Sequence, residues 1–197
     1  MNGNNSMVRI YVIDNGGQWT HREWRTLRDL EVQTSIVPNT TPFKDLQEMK
    51  IQGLVLSGGA PRIGLDGSLG NCAEYLENAD FPILGICAGH QFMARFFGGE
   101  VKPSKTPEFG QVELTLIKDD NVLFKGVLKK SIVWESHNDE VTVLPKNFVR
   151  IAESENCKIQ AMQYKKKQFY GLQFHPEVEH TEYGEHIFKN FIQLCKK

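Results

Sequence analysis

The sequence predicts an α/β fold: a mostly parallel central sheet flanked by helices, with extra antiparallel strands in the second half. Two observations carry this. Up to Gly98-Gly99, apolar runs of four to six residues alternate with helix-length segments, the pattern of a sheet covered on both faces. Beyond that point strand-like segments follow one another across short turns, which suits antiparallel neighbours.

The elements follow in order. Val8–Ile13 is a short apolar run ending in Asp14-Asn15-Gly16-Gly17, a buried strand and a turn. Trp19 to Leu30 has helical spacing, with Trp24, Leu27 and Leu30 able to share one face. Thr34–Val37 is a second strand, stopped by Pro38-Asn39, and Phe43–Met49 a short helix. Gly53–Leu56 is a third strand, running into the loop Ser57-Gly58-Gly59-Ala60-Pro61. Leu69–Asn78 reads as a helix, Pro82–Ile86 as a strand, and Gly89–Phe97 as a helix closed by the glycine pair. In the second half, Val112–Ile117, Ser131–Trp134, Phe148–Ala152, Ile159–Tyr164 and Phe169–Phe174 look like strands. The last two form a hairpin whose turn holds the solvated run Lys165–Lys167. Thr181 to Lys197 is an amphipathic helix with Ile187, Phe188, Phe191, Ile192 and Leu194 in its stripe.

With 197 residues, one domain over 7–197 is expected, preceded by a loose polar tail at Met1–Ser6. A formal net charge of -1 offers no overall field for nucleic acid or acidic lipid. No apolar run approaches the ~18 residues of a membrane span. The four cysteines, at 72, 87, 157 and 195, show neither a CxxC pair nor zinc-like spacing, so no metal is expected. A cytoplasmic protein with reduced thiols is the reading.

Chemistry concentrates at three strand ends. Gly85-Ile86-Cys87-Ala88-Gly89 has the form strand, Gly-x-Cys-x-Gly, helix, a nucleophile elbow with cysteine in place of serine. Small neighbours let the backbone fold back, and a helix N-terminus favours a thiolate. A buried structural cysteine beside a turn is the plain alternative. A nucleophilic cysteine needs a base, and the base an orienting group. Phe174-His175-Pro176-Glu177 supplies both just after a strand. By itself His175 reads more simply as a capped surface or core histidine; beside the Cys87 elbow the catalytic reading wins. Ser57-Gly58-Gly59 lets backbone N–H groups converge on an anion, although in isolation it is simply a flexible loop.

Taken together, the Gly-x-Cys-x-Gly-His-Gln and Phe-His-Pro-Glu runs resemble class I, triad-type glutamine amidotransferases over essentially all of Val8 to Leu194. Within that family the chain looks most like the separate glutaminase subunits of archaeal-type GMP synthases. The residues that carry this are Asp14-Asn15-Gly16-Gly17-Gln18, Val37-Pro38-Asn39-Thr40-Thr41-Pro42, Trp134-x-Ser136-His137-x-Asp139 and His175-Pro176-Glu177-Val178-x-His180-Thr181-x-x-Gly184.

The resemblance implies a three-layer, flavodoxin-like fold and a role for each matching residue. Cys87 attacks the side-chain amide of glutamine, His175 carries the proton and Glu177 orients His175. The N–H groups of Gly59 and Ala88 form the oxyanion hole. Gly58, Gln91, Phe109, Gly110, Ser136 and His137 match regions that bind the substrate, with helix capping as the plainer role of Gln91. His137, Asp139 and His180 match places that contact a partner, and for His137 and Asp139 an internal hydrogen bond is the equal alternative. The family usually reads Gly-Gly-Pro after the third strand; here Ala60 intervenes before Pro61.

The chain lacks the Ser-Gly-Gly-x-Asp-Ser loop of the related synthetases and any Walker lysine loop. The resemblance therefore implies no cofactor here, ATP and magnesium on a partner, and a heterodimer with an ATP-pyrophosphatase synthetase subunit that converts XMP to GMP. Rival readings are a glutaminase of the anthranilate, carbamoyl phosphate or pyridoxal phosphate pathways, a cysteine peptidase or γ-glutamyl hydrolase, and a regulatory module with a dead triad.

Overall fold

A computed structural model describes residues 7–118 and 120–196. The expected tail at Met1–Ser6 and the last residue of the expected C-terminal helix lie outside the described residues. One nine-stranded sheet runs in the order β2-β1-β3-β4-β9-β8-β7-β5-β6. Its first half is β1 (Ile10–Asn15), β2 (Ile36–Pro38), β3 (Gly53–Gly59) and β4 (Ile83–Ile86), all parallel, with β9 (Phe169–Leu172) joining β4 in parallel. The other half is antiparallel: β8 (Ala161–Tyr164), β7 (Phe148–Glu153), β5 (Glu100–Leu116) and β6 (Lys130–Val143).

Helices cover both faces because β3 and its neighbours alternate apolar side chains to either side. Val55 packs with Leu27 of α1 (Thr20–Asp29) and with Ile187, Phe188 and Phe191 of α5 (Gly184–Cys195). Leu54 and Leu56 face the other way. They meet Leu46 of α2 (Phe43–Glu48), Cys72, Tyr75 and Leu76 of α3 (Cys72–Asn78), and Phe92 and Met93 of α4 (Ala88–Phe96). Burying each large apolar side chain fully contributes about 1.5–3 kcal/mol, so the two layers hold the sheet between them. Among the described residues no helix is long and apolar enough to cross a membrane.

The structure shifts several element ends, with β2 running through Pro38, α3 starting at Cys72 and α5 at Gly184, and departs from the sequence reading more deeply in two places. β5 and β6 form one long hairpin in which Glu108 faces His137 and Phe109 faces Ser136, far beyond the expected Val112–Ile117 and Ser131–Trp134. Their extra length is polar, so apolar runs do not reveal it. In α1 the buried stripe is Thr20, Glu23 and Leu27, while Trp24 and Leu30 are only partly buried.

Candidate active site

The carboxyl ends of β1, β3, β4 and β9 open on one edge of the sheet, where parallel α/β sheets place their sites. Cys87 lies between β4 and α4 with φ 49° and ψ −105°. Such a conformation costs a non-glycine residue on the order of 1–3 kcal/mol and must be imposed by its surroundings. The imposing contacts are visible. Cys87 N–H donates to Leu172 O at 2.8 Å, and Cys87 O accepts from Gln91 N–H at 3.0 Å. A Cβ on Gly85 would lie 2.8 Å from the Gly89 carbonyl carbon, and one on Gly89 would overlap the Leu56 carbonyl. The two glycines thus let α4 fold straight back onto β3 and β4.

His175 follows β9. Its Nδ1 sits 2.6 Å from Glu177 Oε1, and its backbone N–H donates to Trp134 O at 2.9 Å. The Trp19 ring meets it edge-on, with centroids 4.4 Å apart. Thr181, placed by the sequence at the start of the last helix, instead donates its hydroxyl to His175 O at 2.7 Å. Gly58 lies between Cys87 and His175: a Cβ there would be 3.4 Å from His175 Cε1 and 3.7 Å from Cys87 Cβ. Burial works against a charged His175, but the Glu177 carboxylate first, and then Cys87 nearby, outweigh it and hold the imidazole well above its ordinary value, while Nε2 has no hydrogen-bond partner. His90, next to the elbow, is no rival base, since burial pushes it down to about 3.

These groups share a cavity of about 270 Å³ lined by Cys87, His175, Gly58, Gly59, Ala60 and Ser136, and by Gly16 to Thr20 and Glu23 from the β1–α1 side. That is just below the ~300–1,000 Å³ of drug-sized ligand sites and suits a small polar molecule. Ala88 is the first residue of α4, so its N–H is one of those a helix leaves free. The glycine loop is tied to β1 through Asn15 Nδ2, which donates to Ser57 O at 3.0 Å, and Asn15 N–H, which donates to Ser57 Oγ at 3.1 Å.

The remaining expected residues are placed differently. Gln91 is buried outside the cavity wall and donates from Nε2 to Asp139 O at 2.6 Å and to Gln173 Oε1 at 3.0 Å. Gln173 in turn donates to Cys87 Sγ at 3.7 Å, so Gln91 reaches the thiol through one intermediary. Phe109 is 60% exposed and Gly110 has φ 89°; neither lines the cavity. His137 and Asp139 both make internal hydrogen bonds. His137 bridges Asp139 O at 3.0 Å and Glu108 Oε2 at 3.1 Å. Asp139 accepts from Arg62 Nε at 2.9 Å and from Gly64 N–H at 3.0 Å. His180 is exposed and leans on Trp134, centroids 4.9 Å apart.

Two buried carboxyls carry no sequence motif and emerge only from the fold. Glu23 lines the cavity. Glu135 lies behind it at 0% exposure, with both oxygens unpartnered and Oε2 3.6 Å from His137 Nε2. Glu108, His137 and Cys157 bring ligand-type atoms within 4.8 Å of one another, a set able to hold a metal. Here the Glu108 oxygens are met by Ser154 Oγ at 2.8 Å, Gln160 Nε2 at 2.8 Å and His137.

A strained cysteine at a helix head, an imidazole held by a carboxylate and a glycine loop between them form an arrangement suited to acyl transfer of the triad type. The chain belongs to the class-I glutamine amidotransferase family, whose model matches residues 11–194. It is 50% identical over 192 residues to the glutamine-hydrolyzing GMP synthase subunit of Thermoplasma volcanium, covering 97% of this chain and 94% of that one. A protein of the same name from Pyrococcus abyssi is 50% identical over 189 residues, 94% of this chain and 98% of the relative. The crystal structure of a putative GMP synthase subunit from Thermoplasma acidophilum superposes with a TM-score of 0.90 at 49% identity, over 96% of this chain and 94% of that one. A glutamine amidotransferase from Thermotoga maritima shares the fold, with a TM-score of 0.70 at 21% identity over 96% and 82% of the two chains.

Proposed function

We propose that this chain is the glutaminase subunit of a GMP synthase, a single domain from residue 7 onward that hydrolyses glutamine to glutamate and ammonia for a separate synthetase. The observation that carries the chemistry is Cys87 held at positive φ beside a Glu177-oriented His175. The choice of pathway is supported by relatives of that name at about 50% identity over nearly their whole length.

In the reaction Cys87 Sγ, its proton passed to His175, adds to the side-chain carbonyl carbon of glutamine. The N–H groups of Gly59 and Ala88 receive the oxyanion; removing one such donor typically costs ~100-fold or more in rate. Collapse breaks the C–N bond, His175 returns the proton to the nitrogen, and ammonia leaves a γ-glutamyl thioester on Cys87. Water activated by His175 then attacks the thioester, releasing glutamate and restoring the thiol. Free ammonia in neutral water is mostly ammonium, which is no nucleophile, so the product passes within a docked heterodimer to a partner that holds ATP, magnesium and XMP. A cytoplasmic setting suits four cysteines, all free. The test is glutamate release by the isolated chain, then with a purified candidate synthetase, ATP and XMP. Activity appearing or rising with the partner supports the pairing. Full activity that ignores the partner and its substrates refutes the coupling.

A further inference from the structure

Helix α1 carries a stripe that the reaction above leaves unused. Trp19, Glu23, Thr26 and Leu30 recur at i, i+4, i+7 and i+11 and so share a face. The turn between the first two is helical, Glu23 N–H donating to Trp19 O at 3.2 Å. Trp19 sets its ring against His175. Thr26 and Leu30 border a surface depression together with Pro176, Glu177 and Val178. Glu23 lies on that face between these two contacts. It is 1% exposed and lines the same cavity as Cys87 and His175. Its Oε2 has no hydrogen-bond partner, and neither has Glu177 Oε2.

Two buried carboxyls on neighbouring elements, each with an idle oxygen, are reconciled by a shared proton. Glu177 Oε1 is committed to the imidazole at 2.6 Å, so Glu177 keeps the charge and Glu23 the proton. We propose that Glu23 is a positioning residue of the amidohydrolase site: a neutral carboxylic acid that donates to Glu177 and fixes the carboxylate that orients His175. The proposal rests on the roles assigned above to Cys87, His175 and Glu177. The groups facing Glu23 are Glu177 and His175 after β9, the Gly58 N–H on β3 and Cys87 at the head of α4. Burial, then Glu177, hold its carboxyl well above the usual carboxylate range, with Cys87 adding to the rise; His175 and the Gly58 N–H pull the other way without reversing it.

The test compares the full chain with its Glu23→Gln and Glu23→Met variants, assayed for glutamate release with the synthetase, ATP and XMP present. Glutamine retains a donor where methionine retains only the bulk. Glu23→Met is expected to lose about 10- to 100-fold in kcat, the usual size for removing a group one step behind the reacting atoms, with KM for glutamine within about twofold. Glu23→Gln is expected to restore kcat to within about threefold of the unsubstituted chain. The pH profile separates this from a structural role. In the unsubstituted chain kcat falls on the alkaline side as Glu23 ionises and loses its donor, whereas in Glu23→Gln that limb moves to higher pH. Unchanged kcat in Glu23→Met overturns the proposal, as does Glu23→Gln damaged as badly as Glu23→Met. Should Glu23→Met not fold, the alkaline limb of Glu23→Gln decides, and one unmoved from the unsubstituted chain overturns it. If the unsubstituted chain releases no glutamate and Cys87 resists an electrophilic glutamine analogue, the reading of the site itself fails instead.

Discussion

Glu135→Gln should make the protein more stable at neutral pH, and increasingly so as the pH rises. Glu135 is fully buried on the inward face of β6 and neither of its oxygens has a partner. Its polar neighbours include His137, whose Nε2 lies 3.6 Å from Oε2, and Gln160. Gln160 Nε2 is spent on Glu108 Oε2 at 2.8 Å and Ser154 Oγ at 3.2 Å, so only Gln160 Oε1 remains free. Neither Glu135 oxygen is held by a hydrogen-bond donor, so burial favours the neutral acid. Burial first, and Glu108 next, raise its carboxyl well above the ordinary range. Below the unfolded-state value of about 4.3 both states hold the proton and the two proteins are equally matched. Above it the unfolded chain releases the proton while the folded chain keeps it, so stability falls by about 1.4 kcal/mol per pH unit until the raised folded-state value is passed. Each such pH unit corresponds to a Tm difference of roughly 3–6 °C for a chain of this size. Glu135→Gln removes the titration and keeps the side chain's size and shape. Thermal or urea unfolding of both proteins at pH 5, 6, 7 and 8 gives the difference directly. A gap that stays constant or shrinks with pH would refute the reasoning.

Further outcomes follow from the same geometry. An electrophilic glutamine analogue should label Cys87 before the other three thiols, read by mass spectrometry. Cys72, Cys157 and Cys195 are at most 3% exposed, and burial pushes Cys72 up to about 12 and the other two higher still. Preferential labelling elsewhere would remove Cys87 as the nucleophile. Cys87→Ala should abolish glutamate release, while Glu177→Gln should leave a residue of activity, the orienting member of a triad costing about two orders of magnitude less than the nucleophile. Wild-type activity in Cys87→Ala would end the covalent mechanism. Gly89→Ala drives a methyl into the Leu56 carbonyl, backbone against side chain with no room to yield, and should cost about 3 kcal/mol or more or give no soluble protein. An unchanged melting temperature would show that α4 does not pack on β3 this closely.

The groups proposed to do the chemistry were legible because each sits in a short contiguous run at a strand end. Gly85 to Gln91 and Phe174 to Glu177 carry their own geometry: glycines where backbones touch, a proline that stiffens the step from imidazole to carboxylate. The parallel half was legible for a related reason, since a strand buried on both faces must be apolar throughout. The supporting residues escaped because reading a half-buried strand relies on apolar alternation. Along β6 the buried positions are Ser131, Val133, Glu135, His137, Asp139 and Val141, a perfect period of two in burial but not in hydropathy. The expected strand therefore stopped at Trp134, where its inward face turns polar.

The same blindness hid Glu23, and its cause points to a remedy. A search for apolar positions on α1 finds Trp24, Leu27 and Leu30 and treats the glutamate as surface. Yet Glu23 lies four residues after Trp19 and four before Leu27, on the side of the helix that packs inward. A charged residue at an inward position is costly unless something faces it, and here that something is a second carboxyl and an imidazole. Inward-phase polar residues beside a sequence-evident nucleophile are thus where the supporting groups of a site should be sought. Glu23 on α1 and Glu135 on β6 both satisfy that rule, and both feel the charges of the same two residues, Cys87 and His175.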